Sequence, residues 1–382
     1  MNIIKSSFPE SSNKKATERV STKPMQTYSS NLHYYTATTK ARIRVLDGLL
    51  NHAIFTFKTF IVRTINNALK ITGSLGENII INLIPEDPVV LKFLKSLNYY
   101  RYEKTNSYHF IKLCFEKLVR KTPEDITSRA MLGLCHKALG DEETFIKTFK
   151  ELPKYQLQNN ILNRTTIIQH LINKFNYKTY LEIGVERGIN FFQIDVELKI
   201  GVDPYFIIPG GYKATENEKF YEVTSDEFFK NPPQKILEEG LDIVFIDGLH
   251  TYEQSLRDVE NSLKYLNAKG VIVLHDCLPD SPAAAMPSLE EAEQHPDFRG
   301  VWTGDVYKTI IHLRTTRPDL FVVVIDTDWG VGIIRKGKPE SMLSMNTEDI
   351  KNMAFDEFAK NKEKFLNLKP KEWFYDMLHG KI

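Results

Sequence analysis

Cysteine is scarce in this 382-residue chain: there are three, Cys114, Cys135 and Cys277, odd in number and far apart. That spacing makes neither a disulfide framework nor a metal knuckle, and it predicts a reducing, cytoplasmic compartment. Long apolar runs are missing as well. No segment approaches the roughly 20 residues that span a bilayer, and the Ser-, Thr- and Lys-rich start lacks the apolar core of a signal peptide. A soluble protein is expected. Net charge is nearly absent, +1 overall, so the global balance calls for no nucleic acid.

What charge there is lies unevenly. Residues 1–70 carry 11 Lys and Arg against 3 Asp and Glu. Residues 1–40 have little to bury and are expected to be disordered. From Arg42 to Ile71 the pattern turns helical, and its apolar stretch with flanking basic residues (45–71) suits either packing within the domain or contact with a membrane surface. Pro85 and Pro88 mark a break. Residues 41–160 read as an α-helical region. Ala130, Gly133, Ala138 and Gly140 sit at a small-residue spacing that resembles a tetratricopeptide repeat, where two antiparallel helices approach closely. Such helices offer a docking surface for a protein partner, or a cap on the following domain.

With 42% hydrophobic residues, the chain can fill a large domain beside this smaller region. From residue 163 the periodicity changes. A helix at 165–175 leads into a strand at 178–183, and further strands are predicted at 199–203, 220–223, 241–247 and 271–275. A helical stretch containing Pro232 and Pro233 precedes the fourth strand, and an amphipathic helix at 251–266 follows it. The long segment 276–304 reads as a loop. A helix at 305–316 precedes two strands, 320–325 and 331–335, whose tight turn makes them an antiparallel hairpin. This is an α/β, Rossmann-like layout over residues 163–338, with a helical tail at 339–382.

Acidic residues end several of these strands. Glu182 and Gly184 close the first, and a second glycine, Gly188, follows; a helix start is expected after it. Open α/β sheets bind ligands along this edge. Asp203 lies 19 residues beyond Gly184, near the spacing at which a carboxylate takes ribose hydroxyls. Carboxylates on both sides of Gly184, at 182 and 186, would repel a pyrophosphate and welcome an ammonium. S-adenosylmethionine, with an amino-acid end, a sulfonium and a ribose, suits these residues better than a dinucleotide.

The stretches Glu182-Ile-Gly-Val-Glu-Arg-Gly188, Gly201-Val-Asp-Pro204, Ile246-Asp-Gly-Leu-His-Thr-Tyr-Glu253 and Lys269-Gly-Val-Ile-Val-Leu-His-Asp276 resemble class I S-adenosylmethionine-dependent methyltransferases. Within these, they resemble the branch of macrocin O-methyltransferase-like and cephalosporin-hydroxylase-like proteins. The resemblance implies a seven-stranded sheet of order 3-2-1-4-5-7-6 with an antiparallel last strand. It implies that Glu182, Gly184 and Gly188 hold the methionine part and Asp203 the ribose, with Thr224, Ser225 and Asp226 near adenine. It also implies a divalent-metal site, magnesium or manganese, at Asp247, His275 and Asp276, although an imidazole at 275 softens a site that magnesium prefers all-oxygen.

His250, three residues past Asp247, is the candidate general base, because an alcohol acceptor must lose a proton and imidazole suits that role. Trp302 and Trp329 are candidate pocket walls. The expected function is O-methylation of a hydroxyl on a sugar or small metabolite. The alternatives are an N-methylating or hydroxylase-like relative on the same fold, or a cofactor-binding interaction protein.

Overall fold

The computed structural model describes residues 108–208 and 214–381. The expected disordered start, the amphipathic stretch at 45–71 and the break at Pro85 and Pro88 lie outside these residues.

The sheet follows from strands whose residues are buried on both faces, as parallel strands flanked by helices require. In chain order they are β1 (Thr179–Ile183), β2 (Leu198–Val202), β3 (Glu218–Tyr221), β4 (Leu241–Ile246), β5 (Leu266–Leu274), β6 (Leu320–Ile325), β7 (Val331–Lys336) and β8 (Leu368–Lys369). Their spatial order is 3-2-1-4-5-7-6-8. β7 is antiparallel to both neighbours, whereas β1, β2, β3, β4 and β5 pair in parallel. Alternate residues divide between two apolar layers. Leu181, Ile183, Val244, Ile246, Ile272, Leu274, Val322 and Val324 face one; Tyr180, Ile243, Phe245, Val271, Val273, Val323 and Ile325 face the other. Burying each such aliphatic side chain contributes about 1.5–3 kcal/mol.

The helices are α1 (Tyr108–Lys121), α2 (Ile126–Ala138), α3 (Glu142–Gln158), α4 (Arg164–Phe175), α5 (Ser225–Lys230), α6 (Gln234–Glu239), α7 (Tyr252–Tyr265), α8 (Leu289–Gln294), α9 (Tyr307–Thr316), α10 (Thr347–Lys351), α11 (Phe355–Leu366) and α12 (Lys371–Leu378). α4 starts at a capping box, Asn163 with Thr166, and ends at Asn176 in the left-handed region, which leaves its first turn rigid beside the sheet edge. Among the described residues, no helix is long and apolar enough to cross a membrane.

Several expectations are corrected. The helix expected after Gly188 is a single 3-10 turn, Phe191–Gln193. Its Phe192 bridges two layers, packing edge-on against Phe145 and Phe149 of α3 and against Phe191 of the sheet-side core, so α3 packs on this turn. β3 begins two residues earlier than predicted. Pro232 and Pro233 split their helical stretch into α5 and α6, as a ring without an N–H and a restricted preceding residue must. Residues 267–270, between the predicted helix and strand, join β5 through a register shift opposite Leu241 and Ile243. The loop at 276–304 contains α8. The tail supplies β8, which pairs with β6.

α1 to α3 share their own core, including Phe115, Leu118, Met131, Leu134, Phe145 and Phe149, on which Ile189 and Phe192 also rest. Gly133 sits where α2 meets α3, and a Cβ there would lie 2.9 Å from the Phe149 ring. The small residue sets this close crossing.

Candidate functional site

The donor half of the site is built on the turn after β1. Gly184 has φ +90°, and a Cβ on it would lie 2.1 Å from the Asp247 carbonyl oxygen. Only glycine lets β1 and β4 end this close together. Glu186 adopts a left-handed φ of +47°, which aims its main-chain N–H at Asp203 Oδ2, 2.9 Å away. The Tyr205 N–H donates to Asp203 Oδ1 at 2.8 Å. Burial pushes the Asp203 carboxyl up to about 6 against the pull of those two donors. Gly188, φ +73°, leaves room for the Phe192 ring that packs over it.

Glu182 is 1% exposed. Its Oε2 accepts from the Tyr180 hydroxyl and from Asn190 Nδ2 at 3.0 Å. Burial outweighs both donors and pushes the carboxyl up to about 8. Asn190 is held in turn by Thr165 of α4, whose hydroxyl donates to Asn190 Oδ1 at 2.8 Å.

Thr224, Ser225 and Asp226 form the entry to α5. Thr224 is its N-cap, in a capping box with Glu227. Ser225 Oγ donates to Asp258 Oδ1 at 2.6 Å, and Asp226 lies 3.6 Å from the Arg257 Nε. Asp258, which sequence reasoning missed, is buried and pushed up to about 7 by that burial, with Ser225 and Gln254 as its donors.

The second half gathers at the ends of β4 and β5. Asp247 Oδ1 lies 3.4 Å from His250 Nε2 and 3.3 Å from His275 Nδ1. Asp276 reaches both rings, Oδ1 to His275 Nδ1 at 3.0 Å and Oδ2 to His250 Nδ1 at 3.2 Å. Two further residues, neither foreseen, complete the cluster. Arg164, the first residue of α4, meets Asp247 Oδ2 at 2.8 Å and Asp328 Oδ2 at 2.8 Å. Asp328 also lies 3.6 Å from His275 Nε2.

The charges set each other's protonation. Burial alone would raise Asp247, but His275, Arg164 and His250 hold it well below the carboxylate range. Burial likewise opposes ionisation of Asp328, and Arg164 and His275 overcome it. His250 is raised: burial disfavours its charged form, and Asp276 and Asp247 outweigh burial. His275, 2% exposed, is raised further despite burial and Arg164, again by Asp276 and Asp247. Neither ring nitrogen of His275 makes an aligned hydrogen bond, although carboxylate oxygens surround it.

Asp247, His250 and Asp276 place one ligand atom each within 4.8 Å of one another, close enough to share a metal ion. His275, expected in that set, is buried and also lies against both carboxylates, 3.3 Å from Asp247 and 3.0 Å from Asp276. Asp276, Asp328 and Trp329 all have left-handed φ angles, +61°, +47° and +62°. Each costs about 1–2 kcal/mol for a non-glycine residue, and such strain gathers where structure serves a site.

Loop 277–304 closes over His250. The Trp302 ring stacks on it with centroids 5.1 Å apart, its carbonyl oxygen lies 3.2 Å from His250 Nδ1, and its Nε1–H donates to the Met286 carbonyl at 2.7 Å. A Cβ on Gly304 would lie 1.7 Å from the His250 carbonyl oxygen. Asp305 accepts from the Tyr252 N–H at 2.7 Å and anchors the start of α7. Trp329 is 38% exposed in the turn beside Asp328.

An uncharacterised protein, R132, of Acanthamoeba polyphaga mimivirus is 28% identical over 157 residues, 36% of this chain and 70% of that protein. Among solved structures, the chain is similar to the methyltransferase PaMTH1 of Podospora anserina bound to S-adenosylhomocysteine, with 17% identity, TM-score 0.36, and coverage of 50% of this chain and 88% of that one. It is also similar to the O-methyltransferase TomG of Streptomyces achromogenes, with 12% identity, TM-score 0.32, and the same coverage. The sheet's own strand order, 3-2-1-4-5-7-6 with one strand added, is the Rossmann-like order that the methyltransferase resemblance implies, and residues 181–277 match the family described as a methyltransferase domain.

Proposed function

We propose that this protein is an S-adenosylmethionine-dependent methyltransferase that methylates a hydroxyl of a sugar or small metabolite. One observation carries the reading: at a single sheet edge, a glycine turn flanked by Glu182 and Asp203 abuts a histidine–carboxylate cluster through the contact of Gly184 with Asp247. The match of residues 181–277 supports it. Asp203 suits the donor's ribose hydroxyls and the α5 entry at Thr224–Asp226 its adenine; Glu182 is placed for the donor's ammonium, whose charge would draw the proton off this buried carboxyl.

In the reaction, the acceptor oxygen attacks the methyl carbon in line. The C–O bond forms as the C–S bond breaks, the sulfonium becomes a thioether, and the hydroxyl proton goes to His250. Alignment is the main task of the protein in such a displacement. Trp302 fixes the His250 ring, and Asp247 and Asp276 increase its basicity, which favours proton acceptance.

A second reading concerns metal, favoured by the convergence of Asp247, His250 and Asp276. The donor set fits a divalent ion, and its imidazole favours manganese over magnesium. These three residues would hold the ion, which when bound supplies Lewis-acid polarisation of the acceptor oxygen.

Calorimetry with S-adenosylhomocysteine and with NAD tests the donor assignment. Binding of NAD in place of S-adenosylhomocysteine would sink it. A screen of hydroxylated metabolites with a labelled methyl donor then identifies the acceptor.

A further inference from the structure

Arg164 reaches the ends of two distant elements at once. Its Nε and Nη2 contact the two oxygens of Asp328 at 2.8 and 3.0 Å, and its main-chain N–H donates to Asp328 Oδ2 at 2.9 Å. Its Nη1 meets Asp247 Oδ2 at 2.8 Å. The next residue, Thr165, holds Asn190 and through it Glu182. Two consecutive residues at one helix end therefore touch both halves of the site.

The grip on Asp247 has a chemical consequence. A carboxylate can rotate, or bind with both oxygens; here Oδ2 is occupied, and only Oδ1 faces His250 and His275. The planar guanidinium fork fixes this geometry in a way that a lysine ammonium would not. We propose that Arg164 is a positioning residue: it presents a single Asp247 oxygen to the acceptor side, and it is a resident cation that competes with any divalent ion bound there. The proposal rests on the reading of Asp247, His250 and Asp276 as the acceptor-side cluster. It assigns a role to a residue 83 positions before Asp247 and outside the matched stretch.

The test uses the full chain and Mn²⁺ alone as probe, with free Mn²⁺ followed by electron paramagnetic resonance. Arg164→Gln frees Oδ2 and removes a positive charge close to the ion, so Mn²⁺ should bind about tenfold more tightly. Arg164→Lys keeps the charge and loses the fork, and the expected gain is about twofold to fivefold. Affinity for S-adenosylhomocysteine should stay within about twofold in both, because the guanidinium does not contact the donor turn. Equal or weaker Mn²⁺ binding in Arg164→Gln, as a merely structural role would give by scattering the cluster, overturns the proposal; so does undetectable Mn²⁺ binding in wild type and variant alike. If Arg164→Gln does not fold, Arg164→Lys decides, and no gain there overturns it. Wild-type protein that does not bind S-adenosylhomocysteine would refute the methyltransferase reading while leaving the Mn²⁺ comparison intact.

Discussion

Replacing Glu182 with Gln should flatten the pH dependence of stability. The folded chain keeps the Glu182 proton up to about 8, against an ordinary 4.5. Between those values the folded state binds more protons than the unfolded state, so stability falls as pH rises, and it levels off above the upper value. Each pH unit is worth about 1.4 kcal/mol, which gives a full contribution of about 5 kcal/mol. Glutamine cannot ionise, so it carries none of this. Asp203 and Asp258 are also raised, to about 6 and about 7, and destabilise in the same direction. Only the difference between variant and wild type therefore isolates Glu182. Urea unfolding at about pH 5, 7 and 9 measures it, and Glu182→Gln should gain on wild type by several kcal/mol across that range. A difference that changes by less than about 1 kcal/mol would show that Glu182 ionises freely when folded, and would refute the buried, proton-retaining carboxyl.

Other outcomes follow from the same geometry. Gly184→Ala forces a side chain to φ +90° and against the Asp247 carbonyl; left-handed strain plus overpacking should cost about 3 kcal/mol, read in the urea midpoint, and wild-type stability would contradict it. Asp203→Ala should weaken S-adenosylhomocysteine binding by about tenfold or more, since a charged hydrogen-bond acceptor is lost, with calorimetry as the measure. His250→Ala should leave that affinity near wild type and lower turnover by about a hundredfold once an acceptor is known; unchanged turnover removes it as the base. If the metal reading holds, EDTA abolishes turnover and Mn²⁺ restores it, whereas turnover that survives chelation leaves His250 as base without an ion.

The sheet was legible because its strands carry apolar runs bounded by acids and glycines, and because Asp326–Gly330 is too short to join parallel strands. The stretch after Gly188 misled for a physical reason: Ile189, Phe191 and Phe192 have the apolar spacing of a helix start, but they serve two cores, Ile189 and Phe192 resting on that of α1 to α3 and Phe191 lying in the sheet-side one. β8, at two residues, is too short for any period to show. In the site, strand-end position drew attention to Asp247 and Asp276, while the resemblance brought in His275 and, with proton-acceptor chemistry, pointed to His250. Both histidines lie against both carboxylates; that His275 is buried while His250 stacks under Trp302 is set by side-chain packing. Arg164 and Asp328 are 164 residues apart. Asp328 had one usable signal, an acid in a turn on the ligand-facing edge; Arg164, an exposed-looking first helical residue, had none.

β8 gives the tail a protective duty. It pairs with Val324 and Ile325 at the end of the buried strand β6, and without it and the tail helices that edge would be open to other chains. α11 packs on that short strand, Trp373 of α12 stacks on Phe321 of β6, and Arg314 fastens α11 by donating to the Phe365 carbonyl at 2.8 Å. A fragment cut at residue 338, where the sequence pattern of the sheet domain stops, should therefore keep the pieces of the site yet aggregate, while one carried through α12 should stay monodisperse on gel filtration. The working boundary of this domain is drawn by the need to close a sheet edge.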